Sequence, residues 1–157
     1  MTTNMKRKLY ILNGPNLNLL GTREPHIYGT ATLANIQSQC EQHAANKSMV
    51  VSFFQSNHEG ELVGLIQEAR NKADAIVINP AGYSFYSIAI LDALKTFDGP
   101  IIEVHISNIH RRDELHSHSI ISTVATGVIC GLGPQGYIGA IDAVASMPAN
   151  RFAPTGA

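Results

Sequence analysis

The sequence has little of what marks secreted, membrane-bound or nucleic-acid-binding proteins. It contains no tryptophan and only two cysteines, Cys40 in a helical pattern and Cys130 in a strand pattern. The simplest interpretation is that both are buried free thiols of a cytoplasmic protein. A disulfide between them is an alternative, but nothing in the sequence requires it. Charged residues make up 15% of the chain and the formal net charge is −1, which disfavours nucleic acid and anionic membranes as partners. No apolar run approaches the roughly 18 residues of a membrane span.

The N-terminal segment also lacks the features of a secretory signal. The basic residues at 6–8 precede an apolar stretch, Leu9–Leu12, of only four residues, which is too short for a signal-peptide core. With 157 residues, 45% of them hydrophobic, the chain is long enough to bury a substantial core. We therefore predict a cytoplasmic protein of one domain, with flexible tails at Met1–Met5 and Arg151–Ala157.

Short apolar runs rich in Val and Ile alternate with helical patterns along the chain. The runs that predict strands are Leu9–Leu12, Met49–Phe54, Ala75–Ile78, Ile101–Ile106 and Gly127–Cys130. Apolar residues recur at helical spacing between them, at Leu33, Ile36 and Cys40, at Leu62, Leu65, Ile66 and Ala69, at Ile88, Leu91 and Leu94, and at Tyr137, Ile138, Ile141 and Val144. Strands that are apolar on both faces predict a flavodoxin-like, doubly wound α/β domain with a five-stranded parallel sheet. The spacing does not give the strand order.

Polar residues follow the first four predicted strands. They occur at Asn13–Tyr28, Ser56–Glu59, Asn79–Ser84 and Glu103–Asn108. Because doubly wound sheets bind ligands outside the carboxyl ends of their strands, these segments are expected to converge on one site.

Arg23 and Tyr28 are the first residues that could carry chemistry. A tyrosine hydroxyl titrates near pH 10, so it is a poor base at neutral pH unless a nearby cation stabilises the tyrosinate. Arg23 suits this task because a guanidinium keeps its proton. Taken alone, the pair is more commonly explained by packing of Tyr28 and a surface position for Arg23.

Glu103 and His105 form a second candidate pair. Residues two positions apart on a strand lie on one face, where a carboxylate fixes the tautomer of an imidazole and favours its protonated form. Such an imidazole is a good general acid near neutral pH. A structural pair in the core is the alternative for an isolated Glu-x-His.

The loop after the first strand carries a family resemblance. Asn13–Gly29 reads NGPNLNLLGTREPHIYG, which resembles the N-G-P-N-L-x-x-L-G-x-R-E-P-x-x-Y-G hallmark of type II 3-dehydroquinate dehydratases. The resemblance extends from about Leu9 to Ala145. It implies a cofactor-free lyase that converts 3-dehydroquinate to 3-dehydroshikimate by anti elimination through an enolate, in the shikimate pathway or in quinate breakdown. It also implies a dodecamer built as a tetramer of trimers.

The same resemblance implies roles for the residues in the two pairs. Tyr28 would be the base that removes a proton next to the substrate ketone, tuned by Arg23 on a loop that closes as a lid. His105 would be the acid that protonates the departing hydroxyl, held by Glu103. Asn16 would orient a water against the developing enolate oxygen, although an Asx-turn also explains an asparagine there.

Further residues correspond to the family's substrate contacts. Asn79 would contact a substrate hydroxyl, with a turn before Pro80 as its alternative role. Ile106 and Ser107 correspond to the carboxylate site, and Arg112 matches an arginine in the substrate-contact segment. Asp92 corresponds to a carboxylate that helps to organise the active site of a neighbouring subunit.

Two substrate contacts depart from the family pattern. Phe85 stands where the family usually has histidine, and His116 stands where it usually has arginine. Both family residues contact substrate hydroxyls. The alternatives are therefore a divergent paralogue that dehydrates a related cyclic β-hydroxy ketone, or a non-catalytic member that binds a metabolite.

Two other motifs are weaker. A metal site is suggested by three histidines, His110, His116 and His118, because a His-x-His pair can chelate a metal ion. The sequence has no second pair of ligands at a spacing typical of zinc sites. The segment 131–136, GLGPQG, resembles a dinucleotide fingerprint but follows the last strand. We predict neither a metal nor a cofactor.

Overall fold

The central feature of the fold is a five-stranded, all-parallel sheet. The computed structural model describes residues 5–22 and 24–148. Its strands are Arg7–Asn13 (β1), Met49–Gln55 (β2), Ala75–Asn79 (β3), Ile101–His105 (β4) and Gly127–Cys130 (β5). The strand order is β2-β1-β3-β4-β5. The predicted flavodoxin-like sheet is thereby confirmed, with β4 ending one residue before the predicted Ile106.

Five α-helices accompany the sheet in the described part of the chain. They are Pro25–Tyr28 (α1), Leu33–Asn46 (α2), Glu59–Lys72 (α3), Ile88–Lys95 (α4) and Gln135–Ser146 (α5). The four longer helices carry the four predicted helical patterns. The single turn α1 was expected to be loop; it begins at a proline, whose fixed φ suits a first helical position, and ends at Gly29 with φ 82°.

The sheet separates two hydrophobic clusters. Leu9 and Ile11 of β1 point to the face covered by α2 and α5, whereas Tyr10 and Leu12 point to the face covered by α3 and α4. This alternation is the two-residue period of a strand buried on both sides. Complete burial of each aliphatic side chain contributes roughly 1.5–3 kcal/mol, so both faces stabilise the fold.

The order of the strands creates a switch point between β1 and β3. The chain leaves β1 toward β2 on one side and returns to form β3 on the other, so the segments after β1 and β3 lie side by side. The backbone N–H of Gly14 donates to the carbonyl of Asn79 at 2.8 Å. A Cβ at Gly14 would collide with the carbonyl oxygen of Pro80, which explains the glycine. Ligands of doubly wound folds bind at such a point.

The structure also bears on the predictions about the cysteines, membrane spans and tails. Cys40 and Cys130 are free thiols, but Cys130 is only half-buried because it lies on the edge strand β5. None of the helices in the described part of the chain is long and apolar enough to cross a membrane. Apart from Met5, the predicted flexible tails lie outside the described residues.

Candidate active site

A pocket lies at the carboxyl edge of the sheet, over the switch point. Its walls come from the segments after β1, β3 and β4. Nine of the predicted site residues line it: Asn16, Tyr28, Asn79, Phe85, His105, Ile106, Ser107, Arg112 and His116. The segment after β2 was expected to join them, but its residues lie behind the loop of β1 and do not line the pocket.

Two of the described site residues are not in the lining, and a third predicted residue is not described. Glu103 is fully buried behind His105. Asp92 lies on the outer face of α4, where its side chain is 66% exposed and 3.9 Å from the Lys95 Nζ. Arg23 lies outside the described residues, so its predicted role stays a prediction.

The predicted pair of Glu103 and His105 is present at the end of β4. The imidazole Nε2 and the carboxylate Oε2 share a hydrogen bond, and both side chains are buried. The other carboxylate oxygen accepts a hydrogen bond from the Ser122 hydroxyl at 2.7 Å. Because Nε2 is engaged, Nδ1 is the ring nitrogen that can exchange a proton with a bound molecule.

The environment of Glu103 keeps it ionised. Burial raises the pKa of this carboxyl, but hydrogen bonds from His105 and Ser122 outweigh burial and hold the pKa below its ordinary value of 4.5. The ionised carboxylate holds the imidazole of His105 through Nε2, which fixes the orientation of the ring at the edge of the pocket.

The depressed pKa of Glu103 leads to a prediction about acid stability. In the folded chain Glu103 binds fewer protons than in the unfolded chain, so its stabilisation is complete above pH 4.5 and is lost as the pH falls through the folded-state pKa. The urea midpoint of the parent chain should therefore fall relative to that of Glu103→Gln between pH 6 and pH 3. Ser122→Ala should move this loss to higher pH. A difference between parent and Glu103→Gln that does not change with pH would refute the prediction.

The loop that carries Asn16 is held from β2. Asn16 has a left-handed backbone with φ 70°. Its N–H donates to the Asn57 side-chain oxygen at 3.0 Å. Gln55 donates to the same oxygen and to the carbonyl of Gly14, both at 3.1 Å. The amide of Asn16 thus extends from an anchored backbone, which is how an amide can be aimed at a developing charge.

Tyr28 lies at the end of α1, with a guanidinium nearby. The Arg112 Cζ is 5.9 Å from the centroid of the Tyr28 ring, within the range of a cation–π contact. Arg112 was predicted only as a substrate contact. The structure therefore gives this side chain a position from which it reaches both the pocket and the candidate base.

Asn79 is buried at the end of β3 and is one of the residues that line the pocket. Its Nδ2 donates to the hydroxyl of Tyr137 at 2.9 Å. Sequence reasoning missed this role of Tyr137, which it treated as a core residue of the last helix. The only available signal was a tyrosine among aliphatic core positions, since a buried tyrosine hydroxyl usually has a partner.

Phe85 and His116, the two residues that we predicted to depart from the family pattern, contact each other. The rings of Phe85 and His116 meet edge to face, with centroids 5.4 Å apart and an interplanar angle of 78°. The His116 Nδ1 also bonds to the Asp113 carboxylate at 2.8 Å, a hydrogen bond that lowers the pKa of Asp113. Together they form an aromatic wall in which the phenyl ring has no hydrogen-bonding group.

The glycine-rich segment 131–136 supports the site from below. The N–H of Gly131 donates to the carbonyl of His105, and the N–H of Gly133 donates to the carbonyl of Ile106. Both glycines have positive φ, at 86° and 63°. The segment thus fixes the backbone where Ile106 and Ser107 line the pocket. In the part of the chain that is described, no three His, Cys, Asp or Glu side chains converge as a metal site.

Comparison with known proteins adds to this geometry. The family model "Dehydroquinase class II" matches residues 7–145. The chain is 58% identical over 140 residues to a 3-dehydroquinate dehydratase of Streptomyces avermitilis, covering 88% of each chain. It is 52% identical over 143 residues to that of Cereibacter sphaeroides, covering 91% of this chain and 97% of the relative. The crystal structure of a type II dehydroquinase from Propionibacterium acnes has a TM-score of 0.88 at 41% identity, covering 92% of this chain and all of that one. The chain therefore belongs to the class II dehydroquinase family.

Proposed function

We propose that this chain is a type II 3-dehydroquinate dehydratase, a hydro-lyase that forms 3-dehydroshikimate and water. Relatives at 52% and 58% identity, matched over about nine tenths of the chain, carry that activity in their names. The pocket at the switch point holds the functional groups that such an elimination needs. The reaction belongs to the shikimate pathway.

The proposed elimination proceeds in two steps. Tyr28, as tyrosinate, takes a proton from the carbon next to the ketone, and the electrons of the broken C–H bond form an enolate. A water held by Asn16 donates to the enolate oxygen. The enolate then re-forms the ketone, and its electrons make the new C=C bond as the C–O bond to the leaving hydroxyl breaks; His105 protonates that oxygen, which departs as water. Tyr28 has then gained one proton from the substrate carbon and His105 has lost one to the leaving group, and proton exchange with solvent restores both residues.

The Glu103–His105 pair is the observation that carries the proposal. Burial of a carboxylate is costly in free energy, and here the cost is offset by the hydrogen bonds from His105 and Ser122. Here the imidazole lines the same pocket as Tyr28 and Asn16. A module that only binds a metabolite does not need a base and an acid in one pocket.

Other residues are assigned to substrate binding. Backbone N–H groups and the hydroxyl at Ile106 and Ser107 would bind the substrate carboxylate, and Asn79 and Arg112 would contact ring hydroxyls. These four residues all line the pocket. Arg23 would complete the environment of Tyr28 from the lid.

The experiment that tests the proposal follows the absorbance of the conjugated enone after the purified chain is mixed with 3-dehydroquinate. Steady production of 3-dehydroshikimate, identified by NMR, is the expected result. A folded preparation that binds the substrate but forms no product would overturn the proposal in favour of a metabolite-binding role.

The aromatic wall supports a second candidate substrate. Phe85 and His116 contact each other and line the pocket. The family resemblance assigns their two positions to residues that contact substrate hydroxyls. A cyclic β-hydroxy ketone without the hydroxyl that faces Phe85 would leave no polar group unpaired there. Faster turnover of such an analogue than of 3-dehydroquinate would support this candidate.

We also infer that the chain assembles as a dodecamer, a tetramer of trimers. Asp92 is exposed outside the pocket of its own chain, and so are the large apolar side chains of Tyr86, Ile88 and Leu115. A neighbouring subunit would cover these side chains and receive Asp92 beside its own site. Analytical ultracentrifugation should give the mass of twelve chains, whereas a monomer with full activity would refute the assembly and the role of Asp92.

A further inference from the structure

A buried chain of hydrogen bonds connects three strands and the last helix beneath the pocket. It begins at the backbone carbonyl of Phe54 in β2, which accepts from the Asn13 Nδ2 at 2.9 Å. The Tyr137 hydroxyl donates to the Asn13 Oδ1 at 2.7 Å and accepts from the Asn79 Nδ2 at 2.9 Å. The Asn79 Oδ1 in turn accepts from the backbone N–H of Ala81 at 3.2 Å.

The groups at the two ends of this series of hydrogen bonds determine which atom donates and which accepts in every bond of the series. The Phe54 carbonyl can only accept, so it must face the Asn13 NH₂ group. The Asn13 oxygen then faces Tyr137, whose hydroxyl donates its single proton to that oxygen. The phenol oxygen can therefore only accept, and its partner on Asn79 must be the NH₂ group. At the far end the Ala81 N–H can only donate, so it must face the Asn79 oxygen.

The same logic forbids the flipped orientation of Asn79. A flip would place the NH₂ group against the Ala81 N–H and the oxygen against the phenol oxygen, whose proton is already used. Asn13, Asn79 and Tyr137 are at most 3% exposed, so water cannot relieve such a mismatch. Burial also raises the pKa of Tyr137, which keeps its hydroxyl protonated.

We propose that Tyr137 is a positioning residue that holds the Asn79 amide in one orientation, so that its second N–H is presented to the pocket. The inference rests on the proposed function, in which Asn79 contacts a substrate hydroxyl. Tyr137 acts from α5 through Asn79 and does not line the pocket. It determines which polar atom of Asn79 the substrate meets.

The variant Tyr137→Phe removes one oxygen atom and tests the proposal. We expect kcat/KM for 3-dehydroquinate to fall by roughly 5- to 50-fold, as for loss of one aligned hydrogen bond. In an Asn79→Ala background the same change should have less than about a 2-fold effect, because the residue that Tyr137 orients is absent. Tyr10→Phe is the matched control, since Tyr10 is 5% exposed and donates to Glu68 at 2.6 Å on the opposite face of the sheet. It should leave kcat/KM unchanged.

A second variant and a structure keep the test decisive. Asn13→Ala leaves the Tyr137 proton without its acceptor, so the phenol oxygen no longer has to accept from Asn79. It should therefore lower kcat/KM in the same direction even where Tyr137→Phe fails to fold. A crystal structure of either variant should show the Asn79 side chain rotated or in more than one position, because its Nδ2 has lost the fixed acceptor on Tyr137. An unmoved amide, or a kcat/KM equal to that of Tyr10→Phe, would overturn the inference while the parent chain still turns over substrate. A parent chain without turnover would instead refute the proposed function, and the orientation of the amide would still decide the role of Tyr137.

Discussion

Tyr28→Phe is expected to lower kcat for 3-dehydroquinate by roughly 10²–10⁴-fold, the range that general base catalysis contributes. The substitution removes the phenol oxygen that accepts the proton in the proposed mechanism and keeps the ring that lies near Arg112. Because the substrate contacts are untouched, the affinity for 3-dehydroquinate should change by less than about 3-fold. Stopped-flow absorbance and isothermal titration calorimetry measure the two quantities.

Tyr86→Phe is the matched control for this prediction. Tyr86 is 65% exposed, contacts Tyr83 edge to face and does not line the pocket. Its variant should retain the activity of the parent chain. Equal kcat values for Tyr28→Phe and the parent would show that another group takes the proton.

The double variant Phe85→His, His116→Arg is expected to raise kcat/KM for 3-dehydroquinate by roughly 10- to 10³-fold. Each substitution restores a donor to the aromatic wall, and a hydrogen bond to a substrate hydroxyl contributes on the order of 1–3 kcal/mol. The arginine can in addition pair with the Asp113 carboxylate that now binds His116. Steady-state kinetics with 3-dehydroquinate and with the analogue that lacks the facing hydroxyl give the comparison.

The single variants are the controls for this prediction. Because the two rings are in contact, with centroids 5.4 Å apart, the effects of the single substitutions should not be additive. Phe85→Leu, which keeps the wall apolar, should bring no gain. If no combination raises kcat/KM, the wall does not limit the turnover of 3-dehydroquinate.

The sequence predicts those parts of the molecule that depend on local pattern. Apolar runs located the strands, and the spacing of Glu103 and His105 on one strand predicted their contact. The strands and the contact of Glu103 with His105 follow from the two-residue period of a strand, and the convergence of loops follows from the position of carboxyl ends in a parallel sheet. Most of the nine predicted residues that line the pocket were predicted instead from the family resemblance.

The sequence does not predict features that join distant segments. Asn57 anchors the Asn16 loop from 41 positions away, and Tyr137 reaches Asn13 across 124 positions. Ser122, which binds Glu103, lies in a short turn with no recognisable signal. Such contacts depend on strand order and helix packing, neither of which has a local signature. The edge contact of Phe85 and His116 is of the same kind.

Deuterium exchange into the substrate tests most directly the claim that Tyr28 forms an enolate before His105 releases the hydroxyl. The His105→Asn variant keeps the base and lacks the acid. In D₂O, proton NMR should show deuterium entering unreacted 3-dehydroquinate at the carbon next to the ketone faster than 3-dehydroshikimate forms. Tyr28→Phe should give neither exchange nor product. Absence of exchange with His105→Asn, or equal exchange with Tyr28→Phe, would contradict the assigned roles of base and acid.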